Sequence, residues 1–188
     1  MSIYTQQMTS EQDMTFDTNM RSRQSPLMKR YRSLPEAAVI VDSARTSSEH
    51  ATPLHPFYSS VTFGDGVTVR QPIGVHKAVG GMSDFPNPGE MLSAAIAGCL
   101  DCTTRMIANR LGIQLTLLDI SVDAKVDVRG MLQVDRDVQV GFQSIDVDVK
   151  IEAGPGVSKA QLDMLVKAAE ASCVVLQTLR NPPDINIS

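Results

Sequence analysis

The stretch that decides the fold is residues 87–113, NPGEMLSAAIAGCLDCTTRMIANRLGI. Asn87 suits a helix N-cap, Pro88 suits the first helical position, and Glu90 stands three residues after the cap, where a capping box places it. Residues 91–100 contain no charged side chain. A helix that is apolar on every side is usually buried, and ten such residues are too few to span a bilayer. The stretch therefore predicts a central helix buried on all sides.

This helix carries two of the three cysteines of the chain. Cys99 lies in its middle, Cys102 follows one turn later, and Cys173 lies far downstream. A small and odd number of cysteines is a poor disulfide framework, and no second CxxC motif accompanies the first. We therefore expect no metal and no bound cofactor, which leaves thiol redox chemistry or core packing for Cys99 and Cys173. For Cys102 we expect packing.

Composition bounds the class of protein. The chain has 188 residues, 43% hydrophobic and 20% charged, with a net charge of −4. This size fits one domain with an added arm, and the acidic balance argues against a nucleic-acid partner. The N-terminus lacks the features of a signal peptide, and no apolar run reaches eighteen residues. We expect no membrane association and a cytoplasmic location.

The polar residues 1–36 predict a mobile or partner-embracing N-terminal arm, and residues 37–188 one domain. Apolar and alternating runs predict strands at residues 37–41 and 72–79. Between them, residues 58–63 and 67–70 flank Gly64-Asp65-Gly66 and predict a hairpin.

The second half of the chain shows clearer periodicity. Strict alternation of apolar and polar residues over 118–129 predicts a long strand. The runs 138–142 and 145–151 alternate with opposite parity, which predicts strand pairing with a bulge near residues 143–144. A capping box at Ser158 opens a helix that ends near Arg180, and its core-facing stripe includes Cys173. A last strand is expected at residues 184–187. The order of these elements indicates an α+β fold.

Three stretches together resemble the OsmC/Ohr family of osmotically inducible and organic hydroperoxide resistance proteins. They are Asn87-Pro88-(x)10-Cys99 with its small residues, the strand from Ile120 to Gly130, and Ala169-x-x-x-Cys173-x-Val175. The resemblance implies an intertwined homodimer, with antiparallel sheets wrapped around two long buried helices per subunit and active sites at the interface.

The same resemblance implies a thiol-dependent peroxidase acting on small organic hydroperoxides. Cys99 would attack the peroxide and become a sulfenic acid, Cys173 would resolve it as a disulfide, and an external dithiol reductant would restore both thiols.

The chain departs from the family pattern where the assisting charges are expected. The family's glutamate directly follows the proline, but here that position is Gly89, and Glu90 is displaced by about 100° around the helix. No arginine occurs in the twenty residues before Pro88. The nearest candidates for an assisting role are therefore Glu90, His76 and Arg70.

Two other classes of function fit the same residues. One is a non-peroxidatic OsmC-like dimer that binds a small apolar ligand, and the other is a structural or regulatory dimer whose cysteines are core residues. Glu90 also fits a purely structural role as a helix cap. His76 likewise fits a structural role as a polar residue at the end of a strand.

Overall fold

A computed structural model of the chain describes residues 19–64 and 69–188. In chain order its elements are α1 Met20–Ser33, β1 Ala44–Thr46, β2 Tyr58–Phe63, β3 Val69–Gly74, α2 Pro88–Leu111, β4 Leu115–Lys125, α3 Val128–Met131, β5 Ser144–Ala153, α4 Lys159–Ser172 and α5 Val174–Arg180. Short 3₁₀ turns at Pro35–Ala38 and Lys77–Val79 connect the early elements.

Two antiparallel sheets and two long helices make up the fold, as the α+β prediction requires. β1, β2 and β3 form a three-stranded sheet in that order, and β4 pairs with β5 in a second sheet. The predicted hairpin is confirmed as β2 and β3, paired from Tyr58↔Gly74 to Phe63↔Val69; residues 65–68 at its tip lie outside the described part.

The core lies where α2 and α4 meet the β4–β5 sheet. Leu100, Ala169 and Cys173 form its buried centre, and they are 3% exposed or less. Ile120 from β4 and Val149 from β5 pack against them. Apolar residues of both helices and both strands therefore converge beside Cys99.

Helix α2 begins as its sequence predicts. The Asn87 side chain accepts hydrogen bonds from the backbone N–H groups of Gly89 and Glu90, and the Glu90 carboxylate accepts one from the Asn87 N–H. Gly112 ends the helix in a left-handed conformation at φ 73°, which glycine adopts without strain.

The expectation that α2 is buried on all sides is wrong for the single chain. Ala94, Ala95 and Gly98 are exposed, while Ile96 and Leu100 on the opposite side are buried. The uncharged run therefore covers one face of the core and leaves a second, small-residue face open.

By length and composition alone, α2 is also apolar enough to cross a membrane. Core helices of soluble proteins meet the same criterion. In the structure α2 packs against β4 and α4, and its exposed side carries the Arg105–Asp101 ion pair, with a nitrogen–oxygen distance of 2.7 Å.

The N-terminal arm contains a helix that the sequence analysis did not predict. Asn19 caps α1 through its side chain, and the first turns of α1 contact the last turns of α2. The Met20 N–H donates to Asn109 Oδ1 at 2.8 Å. Residues 1–18 lie outside the described part, and the domain boundary at residues 36 and 37 stays a prediction.

Two predicted strands in the first half are corrected. Pro35 opens a 3₁₀ turn where a strand over 37–41 was expected, and Val39, Ile40 and Val41 are then 77%, 76% and 81% exposed outside any strand. The strand predicted over 72–79 is the end of β3, which stops at Gly74 because His76 caps a 3₁₀ turn through Nδ1.

The strand predicted over 118–129 is shifted and shorter. β4 runs from Leu115 to Lys125, and Asp127 then accepts a hydrogen bond from the Arg129 N–H and starts the single turn α3. The alternation of apolar and polar residues thus continues past the end of the strand.

The strands predicted over 138–142 and 184–187 are not found: both stretches are irregular in the structure. No bulge occurs near residues 143–144: Lys125 pairs with Ser144 in register, and the irregularity lies between Leu115 and Leu117. The parity change therefore marks a loop joining β5.

Candidate functional site

Cys173 lies at a break between two helices, where the sequence predicts one continuous helix. α4 ends at Ser172, Cys173 takes an extended conformation at φ −74° and ψ 108°, and α5 begins at Val174. The side chain of Cys173 is fully buried. The break leaves the first N–H groups of α5 without helical partners, and such groups are free to donate to an acceptor.

The Cys99 sulfur occupies the position that these donors face. It accepts hydrogen bonds from the backbone N–H groups of Val175 and Val174, from the Cys173 thiol and from the Thr103 hydroxyl. Partial burial raises the pKa of Cys99, but the four donors together lower it below the ordinary value. Cys99 is therefore the thiol of this pair that ionises more readily.

The pKa of Cys173 moves the opposite way. Burial raises it, and the neighbouring Cys99 raises it further, although the N–H groups of Leu176 and Val175 oppose the change. Both cysteines are free thiols. The arrangement thus places the more acidic thiol, Cys99, in contact with the less acidic thiol, Cys173.

Thr103 tests this account of the pKa of Cys99. In Thr103→Val the hydroxyl donor is lost at nearly constant volume, so the pKa of Cys99 rises and the thiolate fraction at neutral pH falls. We expect the pH profile of Cys99 alkylation by iodoacetamide to shift to higher pH. An unchanged profile would show that Thr103 does not stabilise the thiolate; Thr62→Val, on the hairpin, is the matched control.

Cys99 opens onto a groove of about 560 Å³ that runs along α2, whereas Cys173 lies buried behind it. Gly98, Cys99 and Cys102 line one end of it, and Met106 and Arg110 line the other. Cys102 is exposed, so the packing role expected for it is not what the single chain shows.

A second and larger cavity, of about 1260 Å³, holds two of the three candidate assisting residues. Its wall includes His76, Glu90, Val122 and Phe142. Glu90 precedes Cys99 by nine residues, about 13 Å along the helix axis. Within one chain the structure therefore separates His76 and Glu90 from the thiols.

In the described structure both residues also serve as caps, Glu90 for α2 and His76 for the 3₁₀ turn that follows it. Arg70 is exposed on β3, opposite Thr62. None of the three is among the residues that hydrogen-bond Cys99.

The groups near Cys99 that the sequence analysis missed are Thr103 and the Val174 and Val175 N–H groups. Thr103 could have been found, because it lies four residues after Cys99 and hence on the same helix face. The N–H donors could not, because they depend on the helix break. Among residues 19–64 and 69–188, no cluster of three or more His, Cys, Asp or Glu side chains could hold a metal ion.

The family model of OsmC-like proteins matches residues 81–188, more than half of the chain. The chain belongs to the OsmC-like family. A curated relative, Peroxiredoxin OsmC of Escherichia coli (strain K12), is 28% identical over 122 residues, which are 64% of this chain and 78% of that protein.

Solved structures share the fold of this OsmC-like protein at low identity. An organic hydroperoxide resistance protein OsmC from Legionella pneumophila superposes with a TM-score of 0.54 at 18% identity, covering 79% of this chain and 96% of that one. An OsmC-like protein from Mycoplasma pneumoniae gives a TM-score of 0.55 at 15% identity, covering 77% and 89%. The predicted α+β, OsmC-like fold of the single chain is thereby confirmed, and the homodimer stays a prediction.

Proposed function

We propose that this OsmC-like protein is a thiol-dependent peroxidase that reduces small organic hydroperoxides. The observation that carries the proposal is the contact between Cys99 and Cys173, with the pKa of Cys99 lowered and that of Cys173 raised. Relatives named as a peroxiredoxin and as a hydroperoxide resistance protein support it at the level of the family.

The first step consumes the peroxide. The Cys99 thiolate attacks the outer oxygen of R–O–O–H, an S–O bond forms as the O–O bond breaks, and the alkoxide takes up a proton and leaves as the alcohol. Cys99 is then a sulfenic acid. The Thr103 hydroxyl and the Val174 and Val175 N–H groups, which hydrogen-bond the sulfur, favour its ionised form and orient it for this attack.

The second step uses the neighbouring thiol. The Cys173 sulfur, losing its proton, attacks the sulfenic sulfur of Cys99; a disulfide forms and water leaves. An external dithiol then reduces this disulfide to two thiols and is itself oxidised to a disulfide. A cytoplasmic location, where such reductants keep thiols reduced, belongs to the proposal. No metal or organic cofactor takes part in these steps.

We further propose that the protein acts as an intertwined homodimer with its active sites at the interface. The exposed small-residue face of α2 and the exposed run 39–41 support this, because apolar surfaces of this kind are normally covered. The partner subunit would also bring a cation towards Cys99, since His76 and Arg70 do not reach it within one chain.

The dimer predicts a sharp effect at Ala95. Ala95→Glu places a charge in the proposed interface, so we expect the mass measured by analytical ultracentrifugation to fall from that of a dimer to that of a monomer. Ala168→Glu, at an exposed alanine of α4, is the matched control and should remain dimeric. A wild-type protein that sediments as a monomer at micromolar concentration would contradict the proposal.

Intact mass spectrometry tests the peroxidase cycle directly. After one equivalent of an organic hydroperoxide, the wild type should lose about 2 Da through a Cys99–Cys173 disulfide, and Cys173→Ser should gain about 16 Da through the sulfenic acid. Cys102→Ser is the control and should behave as the wild type. If the masses do not change and all thiols stay free, the proposal is refuted.

A second candidate is a non-peroxidatic dimer that binds a small apolar ligand. The cavity of about 1260 Å³ favours it, since Val122 and Phe142 give it apolar walls apart from the thiols. A ligand that co-purifies with the protein, together with thiols that do not react with peroxide, would support this candidate. Thiols inert to both peroxide and alkylation would instead indicate a structural or regulatory dimer.

A further inference from the structure

Positive charge is concentrated in helix α1 of this acidic protein. The helix contains no acidic residue and five basic ones, which are Arg21, Arg23, Lys29, Arg30 and Arg32. The chain carries −4 overall, so without these five cations the remainder carries −9. α1 also lies outside the family match, which begins at residue 81. Such a charge asymmetry indicates that α1 meets an anionic partner.

The cations in the second half of α1 are not neutralised by a carboxylate. Lys29, Arg30 and Arg32 are exposed, and within the part of the chain that the structure describes they take part in no ion pair. The ion pairs found there join residues of α2, α4, α5 and the segment around α3. The charge of these three side chains is therefore available to an external anion.

The two halves of α1 have different surroundings. Met20, Arg21 and Gln24 in the first half are hydrogen-bonded to the last turns of α2. Pro26 follows them inside the helix, where it has no N–H for a helical hydrogen bond. The first half thus anchors α1 to the domain, and the second half presents the exposed cations to the surroundings.

A partly exposed apolar face accompanies these cations. Leu27 and Leu34 are two turns apart and so lie on the same side of the helix, and Met28 borders them. The three side chains are 38% to 43% exposed. At about 100° per residue, Arg30 falls on one flank of this face and Arg32 on the other. Apolar residues flanked by basic ones are typical of a helix that lies in the interface of an anionic bilayer.

A bilayer fits these features better than a nucleic acid does. Phosphate contacts to a duplex would use the cations, but they would give the exposed leucines nothing to contact. An anionic bilayer satisfies both, because headgroup phosphates lie directly above apolar chains. The expectation of no membrane association rests on the charge of the whole chain and on the lack of a long apolar run, and peripheral binding depends on neither.

We propose that α1 binds this protein peripherally to membranes that carry anionic phospholipids. The cations of its second half pair with headgroup phosphates, and Leu27 and Leu34 enter the boundary between headgroups and acyl chains. α1 lies on the bilayer and does not span it. The inference goes beyond the proposed peroxidase function and does not depend on it, because no thiol takes part in the contact.

Co-sedimentation of the full chain with lipid vesicles tests the contact. One set of vesicles is pure phosphatidylcholine, and the other contains about one third phosphatidylglycerol. At about 0.1 M salt we expect binding to the anionic vesicles to be at least about a hundredfold tighter, and most of this difference to disappear at about 0.5 M salt through screening. Equal binding to both kinds of vesicle, or binding to neither, overturns the inference.

A triple variant assigns the binding to α1. Lys29→Gln, Arg30→Gln and Arg32→Gln together should weaken binding to the anionic vesicles by about a hundredfold, since each Lys or Arg near such a surface contributes about fivefold. All three side chains are exposed, so the circular dichroism spectrum should not change. A triple variant that binds as tightly as the wild type refutes the role of α1.

The matched control changes the net charge equally at exposed lysines elsewhere. It combines Lys125→Gln and Lys150→Gln on the β4–β5 sheet with Lys167→Gln on α4. This control should bind the anionic vesicles within about threefold of the wild type, because these lysines are not on α1. A loss as large as that of the α1 variant would show that net charge alone governs the binding, and the inference would fail.

Two other partners for α1 are distinguished by the same proteins. Leu27→Ser with Leu34→Ser keeps every charge and should weaken vesicle binding by about tenfold. If this variant binds vesicles as the wild type does, and a DNA duplex is bound as tightly as the vesicles, α1 is a nucleic-acid site and the membrane inference is refuted.

The second of these partners is the other subunit. If the mass of the triple α1 variant in analytical ultracentrifugation falls from that of a dimer to that of a monomer, α1 holds the partner subunit and the inference is again refuted; an unchanged mass supports it. Failure of vesicle binding leaves the mass-spectrometric test of the peroxidase cycle unaffected. Conversely, a protein inert to peroxide that still binds anionic vesicles through α1 supports this inference and refutes only the proposed function.

Discussion

Cys99→Ser should reduce the rate of hydroperoxide consumption by at least about a thousandfold, to the level of the uncatalysed reaction. Four hydrogen-bond donors lower the pKa of the wild-type Cys99 thiol, which favours its thiolate, and the sulfur can accept an oxygen atom. A serine hydroxyl stays protonated at neutral pH and cannot be oxidised to the equivalent of a sulfenic acid. The measurement is the steady-state loss of tert-butyl hydroperoxide with an excess of a dithiol such as dithiothreitol.

Two matched variants make this result specific to Cys99. Cys102→Ser, one turn away in the same groove, should keep its rate within about twofold. Cys173→Ser should consume about one equivalent of peroxide rapidly and then turn over slowly, because the sulfenic acid lacks its resolving partner. More than a tenth of the wild-type rate in Cys99→Ser would remove Cys99 from its role as nucleophile.

The sequence was sufficient for those parts of the fold that depend on local chemistry. Both ends of α2 follow from residues whose effect is local: Asn87 and Glu90 at its start, and Gly112 at its end. The capping box at Ser158 likewise begins α4. β4 and β5 show their alternation because one face of the sheet is buried against helices.

The errors arise where a local pattern depends on a partner. The run 39–41 is apolar enough for a strand, yet periodicity cannot show which strand would pair with it. In the same way, the sequence of α2 shows that its surroundings are apolar, but not whether its own chain or a second subunit supplies them.

The sequence was enough to predict the two cysteines of the candidate site, but not how their side chains are arranged. Their positions on two core helices follow from the sequence, and the resemblance to the family pairs them. The break between the two helices at Cys173 does not follow from the sequence, because the apolar stripe over residues 158–180 is continuous. That break presents the Val174 and Val175 N–H groups to Cys99 and so produces the opposite pKa shifts of the two thiols.

Leu100→Ala should destabilise the protein strongly, because Leu100 is buried where the core meets the site. Its side chain is 3% exposed and packs with Ala169 and Cys173. Truncation of a buried leucine removes its apolar contacts and leaves a cavity, which costs about 2–5 kcal/mol of the free energy of unfolding. We expect the thermal midpoint to fall by about 2–4 °C per kcal/mol for a chain of this size.

Met164→Ala on α4 is the control, since Met164 is 63% exposed and its truncation should change stability by no more than about 0.5 kcal/mol. The cavity left by Leu100→Ala also loosens the contact between α2 and the α4–α5 junction. The N–H donors then hold Cys99 less firmly, so its pKa should rise and its alkylation at neutral pH should slow. If Leu100→Ala unfolds at the same urea concentration as Met164→Ala, the packing of Leu100 does not hold the site together.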